Sequence, residues 1–213
     1  MLRKHLILTL LGLFLLVSAG CTSLSGLSGG VTAKATETQG VDVPGVPTLT
    51  VNHFAGVLNV TTGETGRIEA DLTKQSHLDN ETEAEAQLEQ IVMSFTQTGT
   101  DVTLNIEGPE GMDSLSGLAD LPSAAVDVRV PPETTLVINL GAGEVTVAEP
   151  AGVVTINNGA GEATVILPAD ASFHLLVSGG VAEIVSDFEG APSGGLAADV
   201  EVVLTPSVKD ALL

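Results

Sequence analysis

Three histidines, His53, His77 and His174, and a dense run of carboxylates, Asp79, Glu81, Glu83 and Glu85, are the side chains best equipped for catalysis or metal binding. A zinc hydrolase needs H-x-x-x-H or H-E-x-x-H spacing, which sets two imidazoles on one helix face. None of the three stands in such an arrangement. His174 alternates with Phe173 and Leu175, so it should face outward, and a surface position is expected for all three. The carboxylate run offers the oxygen ligands that calcium prefers. It forms neither an EF-hand loop nor a G-G-x-G-x-D repeat, and is read as a solvated acidic helix. Ser28-Gly29 and Ser116-Gly117 lie in no G-x-S-x-G elbow. Gly141-Ala142-Gly143-Glu144 and Gly159-Ala160-Gly161-Glu162 superficially resemble dinucleotide-binding loops. They lack the third glycine and run into strands rather than helices, so they are read as chain corners. A glycosidase would need two facing carboxylates. No acidic cluster recurs here beside an aromatic platform for a sugar. The sequence therefore predicts no catalytic residue, no metal site and no cofactor, and a protein that is not an enzyme.

Composition narrows the partners. The 213 residues hold 7 Lys+Arg against 27 Asp+Glu, a net charge of −20. Phosphate backbones are bound through basic clusters, so no nucleic acid is expected. Aromatics are 2 %, all five of them Phe, which leaves little for base stacking. At 44 % apolar the chain can build a core. A single cysteine excludes an internal disulfide and a Cys-rich zinc site.

That cysteine has a context of its own. Arg3 and Lys4 precede an apolar run, Leu6 to Val17, that is too short to span a bilayer at about 20 residues but suits a signal-peptide core. Leu16-Val17-Ser18-Ala19-Gly20-Cys21 follows. This resembles the lipobox of bacterial lipoproteins, and the resemblance implies cleavage after residue 20 and lipidation of Cys21. Residues 1–20 are thus read as a lipoprotein signal peptide, and residues 21–47, rich in Ser, Thr and Gly, as a lipidated flexible tether. Cleavage would remove Arg3 and Lys4, leaving 5 basic and 27 acidic residues and a charge of −22. An anionic membrane repels such a chain. The acyl chains, at about 0.8 kcal/mol per buried CH₂, must hold it there.

Beyond the tether, four segments share one frame: LTVNHFAGVLNV (49–60), LVINLGAGEVTV (136–147), VTINNGAGEATV (154–165) and FHLLVSGGVAEI (173–184). Each alternates apolar positions on either side of a glycine: Gly56, Gly143, Gly161 and Gly180. Period-2 alternation means two half-buried strands. The glycine marks a tight corner that can demand positive φ. The last three copies are offset by 18 and then 19 residues. A constant short period is the mark of stacked units. The expected fold is therefore all-β, a single-stack β-solenoid (β-helix) with rungs of about 18–19 residues, in which Ile138, Ile156 and Leu175 form an apolar column. The alternative is a β-sandwich of hairpins. Glu144 and Glu162 should point outward. Asn139 and Asn157 or Asn158, just before the corners, should bond turn backbone.

Between the first two copies, RIEADLTK (67–74) reads as a strand with Ile68, Ala70 and Leu72 inward and its charges outward. Residues 76–91 read as one short helix, capped by Asp79 or Asn80, with Ala84, Leu88 and Ile91 as its apolar stripe; it would cap the stack. Strands follow near 92–95, 102–106 and 125–131, with a loop at 108–123, and a last strand lies at 199–206.

The opening VNHFAGVLNV, the frame N-x-x-x-G-x-x-x-V, the acidic insert and the step VDVRVPPETTLVINLGAGEVTV resemble the bacterial "putative adhesin" domains, over about residues 48–190. That resemblance implies a cell-surface β-solenoid and brings no catalytic residues with it. Residues 48–206 are taken as this domain and 207–213 as a C-terminal tail. The functional expectation is a lipid-anchored envelope protein on the extracytoplasmic side of a bacterial membrane, acting as a non-catalytic interaction, adhesion or structural module. Its partners would be the membrane, through the N-terminal lipid, and an envelope protein or glycan. The alternatives are an envelope sensor or regulatory partner of a signalling system and, more remotely, a polysaccharide-active enzyme.

Overall fold

The computed structural model describes residues 32–109, 121–150, 152–167, 173–178 and 199–204. Two compact units divide the chain, Met1–Ile166 and Leu167–Leu213. In the first, eleven strands form two sheets. Strands β1 (Ala33–Asp42), β4 (Arg67–Ser76), β7 (Ser123–Val130), β3 (Gly56–Thr62), β9 (Gly143–Ala148) and β11 (Gly161–Ile166) lie side by side in that order. The other sheet runs β10 (Val154–Asn158), β8 (Thr135–Leu140), β2 (Thr48–His53), β6 (Asp101–Glu107) and β5 (Val92–Thr98).

Alternation along each strand turns one face of each sheet inward. Leu49 and Val51 of β2, Leu104 of β6 and Ile138 of β8 meet Leu58 of β3, Leu72 of β4 and Val126 of β7 in one hydrophobic cluster shared by both sheets. Each such side chain contributes about 1.5–3 kcal/mol by leaving water. Among the described residues no helix is long and apolar enough to cross a membrane.

The single-stack β-solenoid expected from the repeat is not what forms. The first unit has two mixed sheets packed in the manner of a sandwich, the alternative fold class offered by the sequence. Each of the first three frames gives one strand to each sheet, and its glycine is where the chain crosses over. Copies two and three lie as parallel neighbours in register, Ile156 beside Ile138 and Gly161 beside Gly143. The first copy joins them, with Val51 opposite Ile138 and Gly56 opposite Gly143. β6 and β7 extend the parallel run beside β2 and β3, and the remaining strands break it. β4 pairs antiparallel with both β1 and β7, and β5 pairs antiparallel with β6. The repeat records that the first three copies are neighbours; of the strands without a copy of the frame, β6 and β7 add parallel to β2 and β3, and β1, β4 and β5 complete the sheets through antiparallel pairings.

In the second unit, β12 (Phe173–Ser178) pairs antiparallel with β13 (Asp199–Leu204). Leu175, expected in a column with Ile156, has Val202 as its ladder partner. Gly180, Ala182 and Ile184 of the fourth frame lie outside the described residues, as do Cys21 and the signal peptide.

Two further elements differ from expectation in place rather than type. The tether was expected to reach residue 47, yet Ala33–Asp42 forms the edge strand β1, whose pattern AKATETQGVD has too few apolar residues to announce a strand. The helix α1 (Glu81–Glu89) buries Ala84 and Leu88 and packs beside β1 and β4, at a sandwich edge rather than on the end of a stack. Asn80 is its N-cap, accepting the Glu83 N–H at 3.2 Å, with Glu81 and Glu83 in the positive first turn. Ile91 lies just past the helix and is fully buried.

Candidate functional site: an uncharged threonine–asparagine face

The two sheets present different outer faces. On the six-stranded sheet the outward positions include Arg67, Glu69, Asp71, Asp127, Arg129, Glu144 and Glu162. Arg129 bridges Asp71 at 2.8 Å and Glu69 at 3.4 Å, while Arg67 bridges Glu69 at 2.9 Å and Asp42 at 2.6 Å. The hydrogen bond from Arg67 holds the Glu69 carboxyl below the usual carboxylate range. The Thr38 hydroxyl, donating at 2.6 Å, does the same for Asp71, with Arg129 adding to it. These exposed pairs are screened and contribute little stability.

On the outer face of the five-stranded sheet, the acids of β6, Asp101 and Glu107, stand at the strand's two ends, and the middle rows hold none. One row across its outer face holds Thr96, Thr103, Thr50, Val137 and Thr155 in register. The next holds Ser94, Asn105, Asn52, Asn139 and Asn157. Neither row contains a charge. Four strands thus repeat one local pattern, Thr50-Val51-Asn52, Thr103-Leu104-Asn105, Val137-Ile138-Asn139 and Thr155-Ile156-Asn157, in which the apolar middle residue points to the core.

The asparagines form a continuous ladder. Asn157 Nδ2 donates to Asn139 Oδ1, Asn139 Nδ2 to Asn52 Oδ1, and Asn52 Nδ2 to Asn105 Oδ1, each at 2.8 Å. Parallel strands in register make this possible, because identical positions recur at about 4.8 Å. Each link uses one N–H and one oxygen lone pair, so the amide of every inner member keeps a second of each. The expected bonding of turn backbone by Asn139 and by Asn157 or Asn158 is therefore corrected for the first two, which bond each other, and holds for Asn158. Asn158 is the one that reaches backbone, at Gly143 O (3.4 Å) and Glu162 O (3.3 Å).

At the corner end of the ladder lies a shallow trough of about 420 Å³, lined by Asn52, Asn105, Asn139, His53, Phe54, Ile106, Glu107 and Gly108. The Phe54 ring fits here because Gly108 has no side chain; a Cβ at 108 would lie 2.6 Å from a ring carbon. Phe54 also meets the His53 imidazole edge to face, with centroids 5.5 Å apart.

His53 was expected at the surface and is instead buried, with 3 % of its surface exposed. It continues the inward series Leu49, Val51, His53, and its register neighbours are Ile106 and Leu140. Its Nε2 lies 3.2 Å from Ala124 O, which assigns the proton to Nε2; Nδ1 is left buried without a partner. Burial lowers its pKa from 6.5 to about 4, against a smaller opposite pull from the Ala124 carbonyl. The imidazole is thus neutral at pH 7. His77 is exposed, and the side chain of His174 lies outside the described residues.

The corner glycines Gly56, Gly143 and Gly161 are neighbours in register. Gly56, Gly143 and Gly161 have φ of 127°, 133° and 124°. A Cβ on Gly161 would overlap Gly143 O, and one on Gly143 would overlap Gly56 O. Gly56 N–H donates to Ala142 O at 2.9 Å and Gly143 N–H to Ala160 O at 2.8 Å. They shape the corner and bring no side-chain chemistry to it. Glu144 and Glu162 are exposed, on the other sheet's face. Asp79, Glu81, Glu83 and Glu85 are exposed around α1, and no group of three or more His, Cys, Asp or Glu among the described residues could hold a metal ion.

A polar cluster missed in the sequence closes the β1 edge. Lys74, read as an outward charge, points to the inner side, donates to Ile91 O and pairs with Glu37 at 3.3 Å. Gln39 Nε2 donates to Glu37 at 2.6 Å and to Met93 O at 2.9 Å.

No family model matches the chain, and no curated protein matches it. Solved structures do. A "putative cell adhesion protein" from Clostridium sporogenes is similar at 16 % identity and a TM-score of 0.48, over 83 % of this chain and 91 % of that one. A "putative adhesin" from Parabacteroides merdae is similar at 11 % identity and a TM-score of 0.29, over 61 % of this chain and 55 % of that one. Another from Bacteroides fragilis is similar at 9 % identity and a TM-score of 0.28, over 60 % and 61 %. This chain spans just over half the length of the Parabacteroides protein.

Proposed function

We propose that this chain is a non-catalytic, adhesion-like interaction module, held on the extracytoplasmic side of a bacterial membrane by lipid on Cys21. The observation that carries the interaction reading is the segregation of charge. In a chain of net charge −20, two neighbouring rows on one sheet face hold only hydroxyls, amides and one valine. Solubility alone would favour carboxylates there, as on the opposite sheet. An uncharged polar strip across the sheet suits contact with a partner that an acidic face would repel. The anchoring reading is supported by the n-region, the short apolar run and the small residues before Cys21.

Fractionation of cells tests the anchor. The wild-type chain should be found with membranes and incorporate an alkyne-labelled palmitate; the Cys21→Ser chain should lose the label and leave the membrane fraction. Retention of Cys21→Ser in the membrane would defeat the lipid reading. Release of cleaved products from envelope polysaccharide incubated with the purified chain would defeat the non-catalytic one.

A further inference from the structure

We propose that the trough between the asparagine ladder and Phe54 binds a neutral polysaccharide, laid across the strands of the five-stranded sheet. This rests on the interaction reading above and supplies its ligand class. The ladder amides of Asn52 and Asn139 each keep one N–H and one oxygen lone pair after their internal bonds, and these recur at about 4.8 Å. The threonine row runs parallel, about 6.7 Å away along the strands. The face is therefore a grid of paired donors and acceptors. A sugar hydroxyl is donor and acceptor at once, so a chain of hydroxyls can satisfy both halves of each amide. An apolar partner would strip water from these amides and return nothing.

Charge selects among polar partners. Glu107 at the rim and the net charge of −20 disfavour a polyanion. A lone carboxylate, with no second acid in the trough lining, gives a cation or a basic peptide little to hold. Phe54 supplies the aromatic ring of the trough lining, set against Gly108 and the His53 edge, where the C–H face of a pyranose ring can stack. Bonds within the ladder hold the amides in place before any ligand arrives, which lowers the entropic cost of binding.

The test uses the full-length chain in detergent on an array of neutral oligosaccharides with hexose and N-acetylhexosamine repeats, with polygalacturonate as the anionic counterpart. Titration of the best probe follows. We expect binding to a neutral probe that strengthens with chain length, and none to polygalacturonate. Thr103→Arg, on the uncharged face, and Phe54→Ala should each weaken binding at least tenfold. Thr146→Arg, on the outer face of the other sheet, should leave it unchanged. Unfolding curves and circular dichroism of the three variants separate lost folding from lost binding. The proposal is overturned if no neutral probe binds, if polygalacturonate binds as well, or if folded Thr103→Arg and Phe54→Ala bind like wild type. Crosslinking in cells that captures one protein on this face, with no glycan, also overturns it. None of these outcomes touches the fractionation result, so loss of the ligand class and loss of the anchored-module reading stay distinguishable.

Discussion

At the residue scale, His53 is the side chain whose setting has the clearest measurable consequence. Folding lowers its pKa from 6.5 to about 4, because the charged form would sit among Ile106, Leu140 and Phe54 with Nδ1 unpartnered. Between those two values the unfolded chain binds more protons than the folded one. Stability from this residue is therefore complete above about pH 6.5 and is lost as pH falls toward 4, by up to about 3 kcal/mol. Urea midpoints measured from pH 7.5 to 4 should fall on the acid side. In His53→Leu, which matches Leu140 beside it in register, that part of the slope should vanish; an unchanged slope would show that His53 does not control it. Lys74 teaches the complementary lesson. Its long stem lets it lie on the inner side of β4 while its ammonium finds Glu37 and the Ile91 carbonyl.

At the element scale, the corner is set by backbone that cannot carry a side chain. Gly143 combines φ of 133° with a neighbouring Gly56 carbonyl where its Cβ would go. Gly143→Ala should cost at least about 3 kcal/mol, from a glycine-only conformation and the steric overlap together. Gly45 has φ of 69° with nothing within 4 Å of its would-be Cβ. Gly45→Ala should cost only about 1 kcal/mol, the left-handed penalty alone. Chemical denaturation of the two variants beside wild type checks the difference, and equal losses would mean that packing at the corner is unimportant. The same close approach sets the register in which Asn139 faces Asn52 and Asn157, so a corner that shifts should also disturb the ladder.

At the scale of the whole molecule, charge is spread unevenly over a strongly acidic chain. Arg67 and Arg129 sit among Asp42, Glu69 and Asp71 on one sheet, and α1 adds Glu81, Glu83, Glu85 and Glu89. With 27 acidic residues against 7 basic ones, repulsion between like charges should outweigh these pairs. The screening length falls from about 30 Å at 0.01 M salt to about 8 Å at 0.15 M. Thermal unfolding should therefore move to higher temperature as sodium chloride rises over that range. A drop in midpoint would mean that the ion pairs dominate. The uncharged face should feel this least, and glycan binding there should depend weakly on salt.

Much of this protein was legible in the chain itself. Alternation around a glycine shows the strand pairs and corners of the first three copies, and the offset of 18 residues shows that copies two and three lie side by side, because a side-chain period of 2 and an in-register ladder are local properties; the offset of 19 to the fourth copy misled, since Leu175 pairs with Val202. Asn80 as cap and Ala84 and Leu88 as a buried stripe are equally local. The inward place of His53 is present in the series Leu49, Val51, His53, and the ladder in four recurrences of an asparagine two residues after Thr or Val; residue type points away from both, because a histidine suggests a surface and an asparagine before a glycine suggests a turn. What only the tertiary structure decided is how the sheets are completed. β1, β4 and β5 join antiparallel without any repeat, and β1 has almost no apolar signature. A periodic sequence specifies contact between equivalent copies; whether that becomes a single stack or two mixed sheets depends on unlike segments that find their partners only when the core closes.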